Sequence, residues 1–532
     1  MSISEAAVAR STGPSPGDVA SMLAVGAYPR QHAALRPEKP ALICGETVIT
    51  YADLDLMSRR FARLLAEWGI APGDRIAYLG RNSDLFFPVM FGCIEAGVVL
   101  VPLNWRCTAP EIAYMLQDSG SRLLFADADF MDTALRARGA LETPLQLHSI
   151  EGEGGLRRML GDGEAGAAAP ATFDLDAVIF QMYTSGTTGR PKGVLLDHRA
   201  WSFARQAELV NPGFASFGGD DVILSPMPNF HVGGLSWVLM GIVRGCTCVL
   251  TADPSPDSVL ELSERHGVAR IFIVPTVIRM LVDGVRARGR GLPKLRAIYY
   301  GAAPMGEGLL RDAMATFGCE FGQFYGMTEA TGATTFLSPE FHDPARPDRL
   351  ASVGTAYPGM VLEIRDFAGR LLAPRQPGEI YIHSPTAMVG YWGLPEATAE
   401  VLVDGWYRTG DGGYIDEDGF LFLTDRIKDM IVSGGENVYP VEVEEALRRH
   451  PAVYDAAVIG VKDDKWGEKV VGVVELRPGQ QADAAGIIAE TRAWIAGYKL
   501  PREIAFVEAL PRTASGKIQR GEVRKLFTTP RP

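Results

Sequence analysis

"YTSGTTGRPKG", residues 183–193, decides how this chain is read. It holds three glycines, four Ser/Thr hydroxyls, an arginine and a lysine, and the apolar, strand-like run of residues 177–180 comes just before it. Glycines let backbone N–H groups approach an anion closely, while hydroxyls and a lysine add donors and charge. The stretch therefore reads as a phosphate-binding loop after a strand, against the plainer alternative of a polar surface loop. It is not a Walker A loop, which runs Gly-Lys-Ser/Thr into a helix. Here Lys192 follows Pro191 and precedes Gly193, so kinase and P-loop ATPase chemistry lose their support.

The loop lies in a chain of 532 residues, too long for one core, so about three or four folding units are expected. Apolar residues make up 47% and charged residues 22%, the balance of a soluble globular enzyme. A net charge of −12 argues against a general nucleic-acid or anionic-membrane surface. Cys44, Cys93, Cys107, Cys246, Cys248 and Cys319 form no CxxC pair and no zinc-site spacing, which fits reduced thiols in a cytoplasmic protein. Residues 1–16 lack the apolar core of a signal peptide, and the terminal "TTPRP" is no peroxisomal signal. The apolar run 85–103 is interrupted by Pro88, Glu95 and Gly97. It reads as a buried helix followed by a strand at 98–101 rather than a membrane span.

Apolar spacing predicts a helix over 54–68, then a turn at "GIAPGD" and a strand opening at 75–78. This rhythm recurs through the first half and predicts an α/β fold with parallel strands. Residues 152–171 read as a Gly/Ala-rich solvated connector, and the GxGxxG match at Gly161, Gly163 and Gly166 as chance, since no strand precedes it. Beyond about residue 350, "VLEIRD", "GEIYIHS" and "GYIDEDGFLFL" read as short strands of a small antiparallel unit, the last a hairpin turning at Asp418 and Gly419. After a charged break at 425–429, helices are predicted at 442–450 and 482–496 and strands at 456–461 and 470–476, enough for a separate small domain. The expected division is 1–425, a hinge at 426–429, and 430–532.

Four further stretches carry chemistry. "YYGAAPM", 299–305, ends a strand in small residues that leave room for a flat ligand. "GQFYGMTEA", 322–330, offers an aromatic, Tyr325, a hydroxyl, Thr328, and a carboxylate, Glu329, which suits Mg²⁺ shared with phosphates. In "WYRTGD", 406–411, Asp411 suits two ribose hydroxyls. "PRTASGK", 511–517, places Lys517 on a loop where a cation can be delivered. Read singly, Glu329 and Asp411 are equally caps, and Lys517 a surface lysine.

Taken in order, "YTSGTTGRPKG", "YGMTE", "YRTGD", "DRIKDMIVSGGENVYPVEVE" and "PRTASGK" resemble the acyl-adenylate-forming enzyme superfamily. That group contains acyl-CoA synthetases, firefly luciferase and peptide-synthetase adenylation domains. The resemblance covers about residues 30–525, and "DKWGEKV" with "SGGENVYP" is most similar to the AMP-forming acyl-CoA synthetase branch. It implies a large N-terminal α/β domain with a small β-barrel-like unit, and a small mobile α+β C-terminal domain. It implies ATP, Mg²⁺ and coenzyme A as co-reactants, a carboxylic acid as substrate, no nucleic acid, no transmembrane segment and a cytoplasmic enzyme, with a homodimer left open.

The resemblance also implies roles. Thr184, Ser185, Gly186, Thr187, Thr188, Gly189 and Lys192 would wrap the phosphates of ATP. Gly301, Ala302, Ala303, Tyr325 and Gly326 would line the adenine, Asp411 and Arg426 the ribose, with Thr328 on the α-phosphate and Glu329 on Mg²⁺. Lys517 would bridge the acid and the α-phosphate, Lys428 would be the hinge, and Ser433, Gly434, Gly435, Glu436 and Trp466 would meet coenzyme A. "PMPNFHVGGLSW", 226–237, is similar to the segment lining the acyl pocket, with His231 at the carbonyl end. Val232, Gly233, Gly234, Trp237, Val274, Pro275, Gly301 and Met327 are its expected walls. Residues 229–240 contain no acid to pair an ammonium, which disfavours amino acids. The expected substrate is a medium- or long-chain fatty acid, with an aryl or alicyclic acid as the alternative. A catalytically silent nucleotide-binding protein would show a damaged motif, and none is damaged.

Overall fold

The computed structural model describes residues 23–162, 173–184, 190–303, 305–426, 429, 431–433, 436–463, 466–512 and 518–528. Ser185, Gly186, Thr187, Thr188, Gly189, Lys428, Gly434, Gly435 and Lys517 lie outside these residues, as do the side chains of Arg426 and Glu436.

Two largely parallel sheets form the large domain. One runs, among the described residues, through nine strands, with Glu320–Met327, Ala297–Gly301, Arg270–Ile273 and Val222–Ser225 side by side in its middle. The other has seven, with Val178–Thr184, Val99–Leu103 and Arg75–Leu79 adjacent. Helices cover the sheets because their apolar faces need burial. Helix Tyr51–Glu67 starts at a capping box in which Thr50 and Asp53 satisfy each other's backbone N–H groups. The expected buried helix is Phe86–Ala96, and the strand after it is Val99–Leu103, every residue of it buried. A single apolar core joins the two sheets, including Phe87, Leu100, Phe180, Ile223 and Leu235.

The unit beyond residue 350 is an antiparallel sheet of Val361–Arg365, Gly378–His383, Trp406–Ile415, Leu402–Val403 and Leu421–Arg426. The expected hairpin joins Trp406–Ile415 to Leu421–Arg426. The C-terminal sheet has its own core around Val443, Leu447, Val458 and Val474. Its strands are longer than alternation alone suggested, Val453–Asp463 and Gly467–Leu476, because they pair with each other along nearly their whole length. The predicted helix over 482–496 is shorter, Ala484–Thr491. None of the described helices is long and apolar enough to cross a membrane.

Candidate active site

Parallel strands of both sheets end in one region, the place where α/β folds gather ligands. Asn82 ties the two sheets together there. Its amide donates to the carbonyls of Met227 at 2.8 Å and Thr251 at 3.0 Å, and its Oδ1 accepts from the N–H of Asn229 at 2.9 Å.

The strands on either side of residues 185–189, Val178–Thr184 and Lys192–Asp197, are antiparallel neighbours. Thr184 pairs with Lys192 and Tyr183 with Gly193. Behind them the Tyr183 phenol donates to Asp118 at 2.6 Å. On the far side of Lys192–Asp197, the short strand Gly390–Tyr391 adds by pairing Tyr391 with Val194. This register brings the Lys192 ammonium 4.7 Å from the centre of the Tyr391 ring, within cation–π range. The Tyr391 hydroxyl donates to Glu329 Oε1 at 3.0 Å. Burial, then the Glu329 charge, push the Tyr391 phenol above its ordinary range, so it stays a donor at neutral pH.

The other end of the site is tied in the same way. Tyr325, 8% exposed, donates to Asp411 Oδ2 at 2.8 Å. Tyr407, buried between these pairs, has its phenol raised by burial and then by Glu329, Tyr391 and Asp411. Lys192, Tyr391, Glu329, Tyr407, Asp411 and Tyr325 thus form one connected group drawn from four segments of the chain. Backbone shape fits close ligand approach. A Cβ on Gly326 would stand 1.9 Å from the Gly332 carbonyl oxygen, so only glycine fits where those chains cross. Gly301 ends its strand, Ala302 follows in the left-handed region at φ 65, a conformation costing a non-glycine residue about 1 kcal/mol, and Ala303 is half-buried. Thr328 and Glu329 sit in the 3-10 turn Thr328–Ala330 that ends the Tyr325 strand. The Glu329 carboxylate offers hard oxygen donors, the type that suits Mg²⁺ shared with phosphate oxygens.

The stretch expected to line the acid pocket runs into helix Val232–Arg244, with His231 at its N-cap and 4.5 Å from the Phe230 ring. Gly233 faces Phe272, whose ring would be 3.2 Å from an added Cβ. Val274 caps helix Pro275–Arg288, and Met327 is half-buried beside the Thr328 turn. Two expected wall residues turn out to do something else. Gly234 lies 2.4 Å, measured from an added Cβ, from the Pro228 carbonyl oxygen, so its missing side chain serves backbone packing. Trp237 is 2% exposed, donates to the Leu224 carbonyl at 2.9 Å and packs on Tyr299, which makes it core.

Next to Val274 is a cavity of about 120 Å³, also lined by Arg81, Asn82, Trp105, Arg106 and Met227. The Arg106 guanidinium lies 4.0 Å and that of Arg81 5.3 Å from the Trp105 ring centre. In the C-terminal sheet Ser433 pairs with Gly467, the neighbour of Trp466, and Arg502 covers the Trp466 ring at 4.6 Å. Residues 513–517 are bracketed by a backbone bridge between Arg512 and Ile518. Tyr391, Tyr407, Asn82 and the Arg81–Trp105–Arg106 group escaped the sequence reading. Only the paired aromatics Tyr391 and Trp392, next to glycines, gave a signal to follow.

Residues 29–392 match the family model of the AMP-binding enzyme, and residues 442–517 that of the AMP-binding enzyme C-terminal domain. A fatty acid–[acyl-carrier-protein] ligase of Streptomyces coeruleorubidus is 40% identical over 93% of this chain and 95% of its own. A feruloyl-CoA synthase of an Amycolatopsis species is 38% identical over 94% and 99%. The solved o-succinylbenzoate CoA synthetase of Bacillus subtilis, in complex with its acyl-adenylate intermediate, superposes with a TM-score of 0.82 at 31% identity, covering 95% of this chain and 98% of the other.

Proposed function

Because the chain belongs to the AMP-binding enzyme family and is an AMP-forming acyl-CoA synthetase using ATP, Mg²⁺ and coenzyme A, we propose that it activates a hydrophobic aryl acid as its adenylate and passes the acyl group to the thiol. The observation that carries the nucleotide half is the connected group from Lys192 to Tyr325. Lys192 and residues 184–189 hold the β- and γ-phosphates. Tyr325 and Gly301–Ala303 take the adenine, and Asp411, oriented by Tyr325, takes the ribose. Thr328 donates to the α-phosphate, and Glu329, oriented by Tyr391, is the ligand for Mg²⁺. Mg²⁺, when bound, neutralises phosphate charge.

A carboxylate and a phosphate repel, so the chain must supply positive charge where the acid attacks the α-phosphorus. Lys517 is the delivered cation. Pyrophosphate leaves, and the mixed anhydride is then open to a thiol. Lys517 has to withdraw for that second step. We assign the change to rotation of residues 430–532 about Lys428, which brings Ser433, Glu436 and Trp466 toward the thiol path. Arg81 and Arg106, stacked on Trp105, provide a basic aromatic rim for the phosphates and adenine of coenzyme A.

The acid lies against His231, Val232, Gly233, Phe272 and Met327. A long alkyl chain continuing past Val232 along the helix would meet the buried Arg205–Glu208 ion pair, whose Arg205 donates to the Ser236 carbonyl at 2.9 Å. That obstacle favours an aryl acid. The second reading, a medium- or long-chain fatty acid, is supported by the 40% identical Streptomyces coeruleorubidus relative and by a long-chain-fatty-acid–CoA ligase of Mycobacterium tuberculosis at 33%. The test is a panel of aryl, alicyclic and C8–C16 acids scored by pyrophosphate release with and without coenzyme A. Preference for aryl acids supports the proposal; preference for C12–C16 acids replaces it with the second reading.

A further inference from the structure

Behind the two phosphate strands lies an anchor that touches neither the nucleotide nor the acid. Successive residues of a strand face opposite ways, and residues paired across antiparallel strands share a face. Thr184 and its partner Lys192 therefore face one side, and Tyr183 and its partner Gly193 the other. The Lys192 side meets Tyr391, which holds Glu329. The Tyr183 side meets the C-terminal end of helix Ala109–Ser119. There the Tyr183 phenol donates to Asp118 Oδ2 at 2.6 Å and lies 3.1 Å from the Met115 carbonyl oxygen. Gln181, fully buried and on the same face, donates to the phenol oxygen at 3.0 Å. Gly193 makes this possible, since a Cβ there would stand 2.6 Å from Gln181 Nε2. Burial first, and next Asp118, push the Tyr183 phenol far above its ordinary range, so it stays a donor.

The same alternation separates Tyr391 from Trp392. Tyr391 pairs with Val194, on the Lys192 face. Trp392, whose N–H donates to the Gly193 carbonyl at 2.7 Å, turns to the Asp118 face. There its Nε1 donates to the Asp118 carbonyl at 2.8 Å, one of the last four carbonyls that a helix leaves free. The Arg75 guanidinium covers the Trp392 ring at 3.7 Å. Asp118 thus holds two chains at once. Its carboxylate holds the strand end that carries Thr184, and its carbonyl holds the strand end that carries Tyr391. These bonds span 65 and 274 residues of sequence, so chain connectivity does not fix the distances that they set.

We propose that Asp118 is a positioning residue for the ATP half-reaction, fixing Thr184 and Lys192 relative to Glu329 so that the phosphate donors and the metal ligand act on one bound nucleotide. The inference rests on the reading that residues 184–192 hold the β- and γ-phosphates, and adds what aligns them. A carboxylate behind a phosphate site repels the ligand, so its worth lies in the hydrogen bonds that it accepts and not in its charge. A small misplacement of groups that orient a reacting ligand is costly even when it starts away from the chemistry.

The two half-reactions separate this role from general packing. Forming acyl-AMP uses every phosphate of ATP, whereas transfer from pre-made acyl-AMP to coenzyme A uses neither the β- nor the γ-phosphate. In the full-length enzyme, Asp118→Ala and Tyr183→Phe should each lower kcat/KM for ATP in pyrophosphate release by about tenfold, the scale of one hydrogen bond to a charged group. Thioester formation from pre-made acyl-AMP should keep the wild-type rate in both. Asp118→Asn keeps an acceptor for the phenol and should recover most of the loss. The double variant Asp118→Ala/Tyr183→Phe should lose no more than either single one, since both remove the same bond. Equal loss in the two half-reactions, or no recovery in Asp118→Asn, overturns the proposal and leaves Asp118 as packing. Lys192→Ala tests the reading beneath it. An unchanged kcat/KM for ATP in that variant removes residues 184–192 from the phosphates, whereas a loss there beside unchanged Asp118 and Tyr183 variants overturns this proposal alone.

Discussion

Tyr391 holds the carboxylate of Glu329 at 3.0 Å across 62 residues of sequence, and its ring meets the Lys192 ammonium. One side chain thus joins the phosphate loop to the proposed metal ligand. Tyr391→Phe keeps the ring and frees the carboxylate. Pyrophosphate release should fall about three- to tenfold, the scale of one lost hydrogen bond, and the Mg²⁺ concentration for half-maximal rate should rise. A Mg²⁺ titration that superposes on the wild type would remove Glu329 from the metal.

The two glycines of "HVGG" answer differently to the same substitution. Gly234→Ala drives a methyl into the Pro228 and Met227 carbonyls and should destabilise by about 1–3 kcal/mol, the cost of overpacking. Gly233→Ala meets only the edge of Phe272 and should fold normally while shifting the ranking of acids toward smaller ones. Thermal unfolding and the acid panel, run on both variants, check this. Equal stability of the two would contradict the packing described.

Tyr325 orients Asp411, so Tyr325→Phe leaves the adenine its ring but releases the ribose acceptor. The KM for ATP should rise about fivefold, the effect of one neutral-to-charged hydrogen bond acting indirectly, with the KM for the acid nearly unchanged. A change confined to the acid would place Tyr325 on the other substrate.

Burial, with Asp55 nearby, raises the Glu95 carboxyl from 4.5 to about 7, while Arg30 and Arg59 pull the other way. Between those values the folded protein keeps a proton that the unfolded chain has released. Stability therefore falls as pH rises through that window, and the loss is complete above about 7. Glu95→Gln lacks this loss, so its Tm relative to wild type should improve from pH 5 to pH 8. A gap independent of pH would contradict the raised value.

Motifs with local chemistry were legible in the sequence: the strand-to-loop transition before residue 185, the hairpin at Asp418, and the carboxylates Glu329 and Asp411. Tyr391 was not, because nothing near it in sequence reveals that Gly390–Tyr391 pairs with Lys192–Asp197. Gly234 was read as pocket space because a glycine makes room for a ligand and for a carbonyl in the same way, and only the fold distinguishes the two. Trp237 is expected as a wall only because it ends the stretch 226–237 that is similar to an acyl-pocket segment, whereas its position on the helix turns it into the core. The buried Arg205–Glu208 pair was hidden for a related reason. An (i, i+3) charge pair on a helix usually faces water, and here the second helix covers it.

The central claim is that an acid and ATP form an acyl-adenylate before any thiol takes part. Isotope exchange between pyrophosphate and ATP, measured with a preferred acid and no coenzyme A, tests it most directly. The account predicts acid-dependent exchange without coenzyme A, lost by about 100-fold or more in Lys517→Ala, the scale of one preorganised transition-state donor. Exchange that requires coenzyme A, or ATP cleavage to ADP and phosphate instead of AMP and pyrophosphate, would contradict it.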